Sequence, residues 1–435
     1  MESAHLTRID AAAVSEDAFI FAYPLVLTEL TRIQMTSVPA PDPVTMQAPL
    51  NQLVHARRRP GAGAHASLGA DTLSSSAWLD LDAEPVVLSV PETHGRYYVM
   101  SMIDLWTNAF ASIGARTTGT SAGKYAIALG SVHPARLPAG VMPIAAPTRY
   151  VRIAGQTSVG RGESDADAIQ RGYGLAPLTS RPRTQRAAAV VTSGEDARQP
   201  AELVDRLDAR AFFRLACRLL EDNPPRTDDR RLMDRAHQVG LLTRGDDPWT
   251  GGDEGLQCTI ERGMRRGRAA VQARAASVMG DPRGGWHIEY RCGDFGTDYL
   301  SRAGAACARL RPDIPADALP ALTRADAEGR PLTGRHRYVL RFGPDVPPPV
   351  DGLWALSTHA AIDGPSISLS DRDGLTVDVD GSLPIHIQHD RPPRALRSNW
   401  LPAPAGDFTL LLRLYWPREE ALARRWTPPA VTRIV

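Results

Sequence analysis

Three ionisable side chains in this sequence are candidates for proton transfer, and they lie far apart along the chain. Asp71 precedes the segment "TLSSSAWLDL", Asp104 opens the segment "DLWTN", and His359 follows the segment "LWALST". Carboxylates and imidazoles act as general acids or bases when burial or neighbouring charges tune their pKa values. We therefore predict that Asp71, Asp104 and His359 are the catalytic residues of a site for acid–base chemistry.

Aromatic and polar residues near these three provide the side-chain types that bind a small molecule. A ligand pocket is mostly apolar with a few fixed donors and acceptors. Tryptophan gives a flat wall, asparagine donates and accepts hydrogen bonds, and arginine binds carboxylate or phosphate in a bidentate way. The predicted substrate-binding residues are Trp106, Asn108, Arg116, Thr118, Trp354, Asn399 and Trp400. The alternative is structural: the asparagines and aspartates fix turns, Arg116 pairs with Asp104, and Trp400 closes a β-sandwich core.

Other kinds of site have little support in the sequence. The segment "GTSAG" (119–123) precedes a strand, whereas the serine of a nucleophile elbow is followed by a helix. His386 and His389 are three residues apart in a predicted strand and so point to opposite faces. The acidic segment 227–234 fits the start of a helix better than a metal site. With no Walker A motif and no Gly-rich dinucleotide turn, we predict neither a metal nor an organic cofactor.

The composition limits the kinds of partner. The chain has 50 Lys and Arg against 49 Asp and Glu, a net charge of +1, which gives no broad footprint for nucleic acid or an anionic membrane. The four cysteines form no C-x-x-C motif and read as reduced thiols. The N-terminal apolar run fits a helix capped by Ser15, and we expect no membrane-spanning stretch. We predict a cytoplasmic protein with a small-molecule substrate, and leave open a homo-oligomer.

The hydrophobic patterns predict the order of elements. Residues 12–38 and 200–280 have helical signals, residues 50–155 and the part after 285 have strand signals, and residues 155–190 are expected to be irregular. The fold class is therefore α+β, mainly β, with two antiparallel β-sandwich-like domains joined by a helical segment. The predicted units are an N-terminal helix plus β-rich domain at 1–190, a helical connecting segment at 191–284, and a C-terminal β-rich domain at 285–435.

The segment "NWLPAPAGDFTLLLRLYWP" combines a polar, proline-rich loop with a strand that is apolar on both faces. We expect the prolines to fix the loop at the end of a β domain. Asn399 and Trp400 would then face a ligand at a domain junction. The simpler alternative is that both side chains only close the core.

Several segments together resemble one known family. They include "ADTLSSSAWLDLDAEPVVLSVP", "GRYYVMSMIDLWTNAFASIGARTTGT", "FFRLACRLLEDNPP", "TDYLSRA" and the Asn-Trp-Leu-Pro-Ala-Pro loop. Over roughly residues 15–435 the chain resembles bacterial two-domain proteins with domain of unknown function 1254 followed by domain of unknown function 1214. The resemblance implies two β-rich domains around a helical centre, and it implies no established reaction.

The chain departs from the family pattern at two places near predicted site residues. The stretch "GADTLSSS" has Gly69 and Ala70 where the family usually has an asparagine just before the aspartate, and Ser74 where a tyrosine is typical. In "LWALSTHA", His359 replaces a tyrosine. These differences, and a start unlike that of exported members, suggest a specialised intracellular protein.

The leading hypothesis from the sequence is an enzyme without organic cofactor that acts on a small organic molecule by acid–base chemistry. Hydrolysis, elimination and cyclisation all remain open, and the context is expected to be specialised metabolism. The alternative is a non-catalytic protein that binds a small ligand or a carbohydrate. A third possibility is a structural partner in a larger assembly.

Overall fold

The computed structural model describes residues 10–56, 72–159, 163–179, 198–243, 254–277, 280–308, 313–344, 346–360 and 366–434. Within these residues, nineteen strands form four sheets, and helices join them. The predicted fold class, α+β and mainly β with two sandwich-like β regions, is confirmed. The domain boundaries at 190 and 284 stay predictions.

The N-terminal β region is a sandwich of two sheets. Its strands are β1 (Val54–His55), β2 (Thr72–Asp80), β3 (Val86–Val90), β4 (Tyr98–Ile103), β5 (Ala109–Gly114), β6 (Gly123–Leu129), β7 (Val141–Ala146), β8 (Tyr150–Ser158) and β9 (Gly174–Pro177). One sheet has the order β1-β2-β8-β4-β5 and the other β7-β6-β3-β9. Alternate residues of facing strands, such as Leu79 and Ile153 against Leu88 and Ile127, form the buried core between the sheets.

The C-terminal β region repeats this architecture. Its strands are β10 (Asp281–Arg283), β11 (Trp286–Ile288), β12 (Ala318–Thr323), β13 (Arg337–Phe342), β14 (Val350–His359), β15 (Ser366–Ser370), β16 (Leu383–Gln388), β17 (Trp400–Pro402), β18 (Thr409–Pro417) and β19 (Val431–Ile434). The sheets have the orders β10-β11-β12-β18-β14-β15 and β17-β16-β13-β19. The pairing in both regions is antiparallel except for β6 with β7 and β16 with β17.

Helices from distant parts of the sequence form a third core. The α-helices are α1 (Ala11–Thr36), α2 (Glu163–Gly172), α3 (Pro200–Arg206), α4 (Ala209–Asp222), α5 (Arg230–Gln238), α6 (Glu254–Ala276), α7 (Tyr299–Cys307) and α8 (Glu419–Leu422). The N-terminal helix α1 packs against α6 and α7. A buried cluster joins Phe19 and Phe21 of α1 to Phe212 of α4, and Trp106 from the sheet region packs on it.

Helix α1 is apolar around most of its circumference because neighbouring elements cover it on several sides. Helix α6 comes close to α1 at Gly263, where an added Cβ would lie 2.3 Å from the carbonyl oxygen of Ala12. Among the described helices, α1 is long and apolar enough to cross a membrane by length and composition, although most of that apolar stretch is buried in the fold. The expectation that no stretch passes this test was therefore wrong.

Two local predictions also need correction. The N-cap of α1 is Asp10, whose side chain accepts from the backbone N–H of Ala12 at 3.0 Å. Ser15 instead lies inside the helix and donates to the carbonyl oxygen of Ile260 at 2.8 Å. The segment after 155 is not irregular throughout, because β8 continues to Ser158 and both α2 and β9 follow. Its Gly- and Arg-rich composition concealed these short elements.

The two β regions contact each other through the faces of their larger sheets. Tyr97 and Val99 pack against Leu353 and Tyr415 in a buried apolar cluster. The ring centroids of Tyr97 and Tyr415 are 5.5 Å apart. The sandwiches and the helices therefore form continuous packing, and residues far apart in sequence meet where these layers join.

Candidate functional site

The turn between β4 and β5, which we call the site loop (residues 104–108), carries three of the predicted site residues. Its ends are closed by the backbone N–H of Asp104, which donates to the carbonyl oxygen of Asn108 at 2.9 Å. The Asp104 carboxylate accepts from the backbone N–H of Asn108 at 2.8 Å and from its Nδ2 at 3.0 Å. Thr107 has φ +68°, a left-handed conformation that is costly for a β-branched residue.

Arg302 of α7 is buried beside this loop. Its side chain is surrounded by three aromatic rings, with the guanidinium carbon 5.4 Å from the ring centroids of Trp106 and Tyr299 and 5.6 Å from that of Phe21. The residue is only 1% exposed. Such rings stabilise a cation through their negative faces. Aromatic walls therefore replace part of the hydration that Arg302 loses on burial.

Two acids lie near this arginine, and both influence the charge of the site. Asp229, in the 3₁₀ turn before α5, accepts from the Tyr299 hydroxyl at 2.9 Å and from the backbone N–H of Arg226 at 2.9 Å. Burial, and then the hydrogen bond to Asp229, raise the pKa of Tyr299 to about 12. The charges of Asp229 and Asp104 oppose the effect of burial, which lowers the pKa of Arg302 below its usual value.

The Asp104 carboxyl has a raised pKa. Burial is the largest cause, and it is opposed by the hydrogen bonds from Asn108 and by the positive charges of Arg226 and Arg302. A carboxyl group held toward its protonated form can donate a proton or a hydrogen bond at a pH where an exposed aspartate cannot. Burial thus favours the protonated form of Asp104 relative to that of an exposed aspartate.

Several polar atoms around these residues have no hydrogen-bond partner among the residues that the structure describes. They are Nε and Nη2 of Arg302, Nε1 of Trp106, Oγ1 of Thr107 and Oδ1 of Asn108. A buried donor or acceptor without a partner is costly and calls for an explanation such as a ligand or water. We call Phe21, Asp104, Trp106, Asn108, Asp229, Tyr299 and Arg302 the Arg302 cluster.

His359 lies in another part of the molecule, on β14 of the C-terminal sandwich. Its Nε2 is 2.8 Å from the Ser357 hydroxyl oxygen, and its Nδ1 has no partner among the described residues. Burial, assisted by the charge of Arg413, lowers its pKa to about 4. A neutral imidazole beside a serine can accept a proton. His359 is, however, the one predicted site residue of this pair.

Arg116 lies where the two β regions meet, and Thr118 lies in the turn that follows β5. Arg116 does not pair with Asp104: its Nε donates to Asp317 Oδ1 at 2.7 Å. The hydroxyl of Tyr97 donates to the carbonyl oxygen of the same Asp317 at 2.9 Å. Thr118 Oγ1 accepts from the backbone N–H of Gly114 at 3.2 Å. These contacts join the domains and fix a turn.

The three remaining residues predicted to bind substrate hold the C-terminal sandwich together. Trp354 is in its core, with its ring centroid 5.4 Å from that of Phe342. Asn399 accepts from the backbone N–H of Thr376 at 2.8 Å and donates to the carbonyl oxygens of Thr376 and Pro384 at 2.6 and 2.8 Å. Trp400 Nε1 donates to the Gln388 carbonyl oxygen at 3.0 Å.

The structure thus brings together Asp104, Trp106 and Asn108 and places the other described candidates elsewhere, while Asp71 lies outside the described residues. Sequence reasoning missed Phe21, Asp229, Tyr299 and Arg302. A usable signal was present in "TDYLSRA", where Tyr299 and Arg302 have the three-residue spacing of neighbours on one helix face. The acidic stretch 227–234 was correctly read as a helix start, but its buried Asp229 was not recognised as part of a site.

Three clefts on the surface of the described residues include no member of the Arg302 cluster in their linings. One cleft of about 540 Å³ includes Arg96, Tyr97 and Arg372 in its lining, and another of about 670 Å³ includes Trp354 and Asp371. Their open shape suits solvent better than an enclosed reaction. Within the described part of the chain, no group of three or more His, Cys, Asp or Glu side chains is arranged to hold a metal ion.

Two protein families and a solved crystal structure are similar to parts or all of this chain. Residues 50–177 match the family described as protein of unknown function (DUF1254), and residues 317–419 match protein of unknown function (DUF1214). The crystal structure of the VPA0106 protein from Vibrio parahaemolyticus is similar over 98% of this chain and 100% of that one, with 20% identity and a TM-score of 0.69. It supports the fold alone.

A second structure, of a putative uncharacterized protein from Burkholderia cenocepacia, has 11% identity and a TM-score of 0.43 over 98% of this chain and 94% of that one. No curated protein matches the sequence significantly.

Proposed function

Because this chain belongs to the family of two-domain proteins in which domain of unknown function 1254 precedes domain of unknown function 1214, and those descriptions name no reaction, we propose a function from the Arg302 cluster. We propose an enzyme without organic cofactor that acts on a small organic molecule by acid–base chemistry. Asp104 is its proton donor, and Arg302 and Trp106 hold the substrate.

The observation that carries this proposal is the environment of Asp104. Its carboxyl is buried, its pKa is raised mainly by that burial, and unpartnered donors lie beside it. A general acid has to stay protonated until the substrate takes its proton. Asn108 donates to both carboxylate oxygens at 3.2 and 3.0 Å, so it orients the group and stabilises the anion that remains after transfer.

The predicted reaction types share this step. Hydrolysis, elimination and cyclisation each need a proton delivered to a leaving or accepting atom, and the aromatic walls keep water away from that transfer. We retain Asp71 and His359 as further catalytic candidates, although His359 pairs with Ser357 on β14.

Specialised metabolism, a cytoplasmic location and the absence of nucleic-acid and membrane partners are also proposals, and cell fractionation would test the location.

The test compares the wild-type protein with Asp104→Asn, which preserves the shape of the side chain and removes its acid. Both are incubated with a mixture of small metabolites, and consumption is followed by mass spectrometry. We expect the wild type to consume at least one compound and the variant to do so about 100-fold or more slowly. Activity should also fall as pH rises through the raised pKa of Asp104, because only the protonated form donates.

A matched control is Asp326→Asn, which changes a buried acid of the C-terminal region that pairs with Arg330. A stably folded Asp326→Asn protein should consume the compound at the wild-type rate. Equal rates for the wild type and Asp104→Asn would remove Asp104 from the mechanism.

A second function, non-catalytic binding of a small ligand, is favoured by the same unpartnered donors. Arg302, Trp106 and the aromatic walls can hold a ligand without any proton transfer. Binding without consumption of any compound, unaffected by Asp104→Asn, would support this alternative. Trp354 and Trp400, which would have suited a carbohydrate platform, are used within the C-terminal sandwich.

A further inference from the structure

Three aromatic rings surround the buried guanidinium of Arg302, and two nitrogens along one of its edges lack hydrogen-bond partners among the described residues. The rings of Phe21, Trp106 and Tyr299 lie around it, whereas Nε and Nη2 have no partner among the described residues. Nε and one terminal nitrogen form the side-on edge of a guanidinium, which binds the two oxygens of a planar carboxylate in parallel. An aromatic ring cannot replace these two in-plane hydrogen bonds.

We propose that this edge of Arg302 binds the carboxylate of the substrate, and that the substrate is a small organic monocarboxylate with an apolar or aromatic body. This inference rests on the proposed function, whose site it shares. The Trp106 indole N–H and the free Asn108 oxygen supply one further donor and one further acceptor to the same ligand.

The charges around the site favour a monoanion. Arg302 is the buried cation, and Asp229 and Asp104 are the acids whose charges act on it. Arg226, which also acts on both Asp104 and Arg302, is exposed to solvent. A phosphate dianion would bring a second negative charge close to Asp229, and like charges in a buried site repel strongly. One carboxylate can accept from both unpartnered nitrogens of Arg302 without that excess charge.

Tyr299 gives the route of entry. It is the partly exposed aromatic residue of the cluster, and its hydroxyl donates to Asp229 at 2.9 Å. Its ring also packs edge-on against Phe21, with centroids 5.3 Å apart. Rotation of Tyr299 would open the guanidinium edge, and the rest of the substrate would extend past it.

The experiment measures binding and needs no turnover. The full chain is titrated with acetate and benzoate, with benzamide as the neutral analogue of benzoate and inorganic phosphate as the competing anion class. Isothermal calorimetry and ligand-observed NMR report binding. We expect benzoate to bind more tightly than acetate, and benzamide and phosphate to bind at least about tenfold more weakly than benzoate, because they lack the charge or the shape for this edge of Arg302.

Arg302→Met retains the apolar stem and removes the guanidinium, so benzoate binding should weaken by about tenfold or more. Arg397→Met is the control at an exposed position of the 3₁₀ helix 394–399, and it should bind benzoate like the wild type. Trp106→Phe keeps the packing and removes one N–H, and a few-fold loss is expected. This milder variant keeps the test decisive if Arg302→Met does not fold. In Tyr299→Phe, the rate of benzoate association should increase, because the hydrogen bond from the tyrosine hydroxyl to Asp229 is lost.

The inference is overturned if no carboxylate binds the wild type, if phosphate binds better than benzoate, or if folded Arg302→Met binds benzoate unchanged. Its failure is distinguishable from failure of the proposed function. Carboxylate binding that depends on Arg302, with no loss of turnover in Asp104→Asn, supports the carboxylate site and removes the acid. Turnover that depends on Asp104, with no carboxylate binding, supports Asp104 as the acid and removes the carboxylate site.

Discussion

The site loop and the Asn399–Trp400 segment contain the same two residue types at or beside strand ends, but the structure uses them in opposite ways. Both polar ends of the Asn399 amide and the indole N–H of Trp400 bond to backbone groups of the same sandwich. In the site loop, Trp106 Nε1 and Asn108 Oδ1 have no partner among the described residues. The first pair completes a scaffold, and the second leaves hydrogen-bonding capacity for something else.

This difference shows that a polar residue in an apolar segment is ambiguous until its partners are known. Natural proteins satisfy nearly all buried polar groups. A segment whose groups are all satisfied adds stability, whereas a cluster of unsatisfied groups around a buried charge reduces it and needs a function to be retained. Stability measurements on the two segments therefore test the comparison directly.

The largest expected effect is at Asn399. Asn399→Ala removes three hydrogen bonds and leaves backbone groups of Thr376 and Pro384 without partners. We expect the free energy of unfolding to fall by about 3 kcal/mol, since each unsatisfied buried group costs about 1–3 kcal/mol. Chemical denaturation measures it. The control is Ser398→Ala, which loses one exposed bond to Thr376 and should change stability by less than about 0.5 kcal/mol. A loss at Asn399 no larger than that of the control would contradict the scaffold assignment.

His359 lies between the two extremes, because one ring nitrogen has a partner and the other has none. Its pKa falls from 6.5 to about 4 in the folded protein through burial and the charge of Arg413. In the unfolded chain it takes up a proton below about pH 6.5, whereas the native imidazole stays neutral until about pH 4. Stability should therefore decrease as pH falls through this window, by about 3 kcal/mol in total.

The variant His359→Gln removes this titration while keeping a side chain that can bond to Ser357. Its stability should depend less on pH between about 4 and 6.5 than that of the wild type. Urea denaturation at several pH values measures the difference. Parallel pH profiles for the two proteins would show that His359 titrates normally and is not buried as the structure has it.

Much of the fold follows from patterns that a single sequence displays. Runs rich in β-branched and aromatic residues predicted β3, β4, β6 and β8, and the run that is apolar on both faces predicted β18. A capped apolar run predicted α1, and helical apolar spacing predicted α4. The short elements α2 and β9 were missed, since a ten-residue helix with three acids and a four-residue strand carry little hydrophobic signal. The position of the Asp10 cap was also missed, because Ser15, another residue type that caps helices, lies closer to the bulky apolar run that starts at Phe19.

The site was only half predictable for a different reason. Asp104, Trp106 and Asn108 are adjacent in sequence, and their types suggested a pocket. Phe21, Asp229 and Arg302 reach the same place only through the packing of α1, α5 and α7, which no local pattern specifies. Whether a polar group has a partner is likewise a property of the assembled layers. That is why Asn399 and Asn108 could not be told apart beforehand.

The smallest expected effect separates the two kinds of region at the level of the backbone. The site loop has Thr107 at φ +68° with its hydroxyl buried and unpartnered, whereas the turn after β15 has Gly374 at φ +67°. A β-branched residue in the left-handed region is strained by about 1–2 kcal/mol. Thr107→Gly relieves that strain and removes the unsatisfied hydroxyl. Glycine also increases the entropy of the unfolded chain, which lowers stability by about 0.5–1 kcal/mol.

We therefore expect Thr107→Gly to raise the free energy of unfolding by about 1 kcal/mol, measured by urea denaturation. The reciprocal change Gly374→Thr should lower it by about 1–2 kcal/mol, since only the backbone conformation opposes the new side chain. If Thr107→Gly destabilises the protein, the threonine has a compensating partner, and the site loop is as satisfied as the Asn399–Trp400 segment. A gain in stability together with weaker benzoate binding would instead mean that the loop maintains its strain for function.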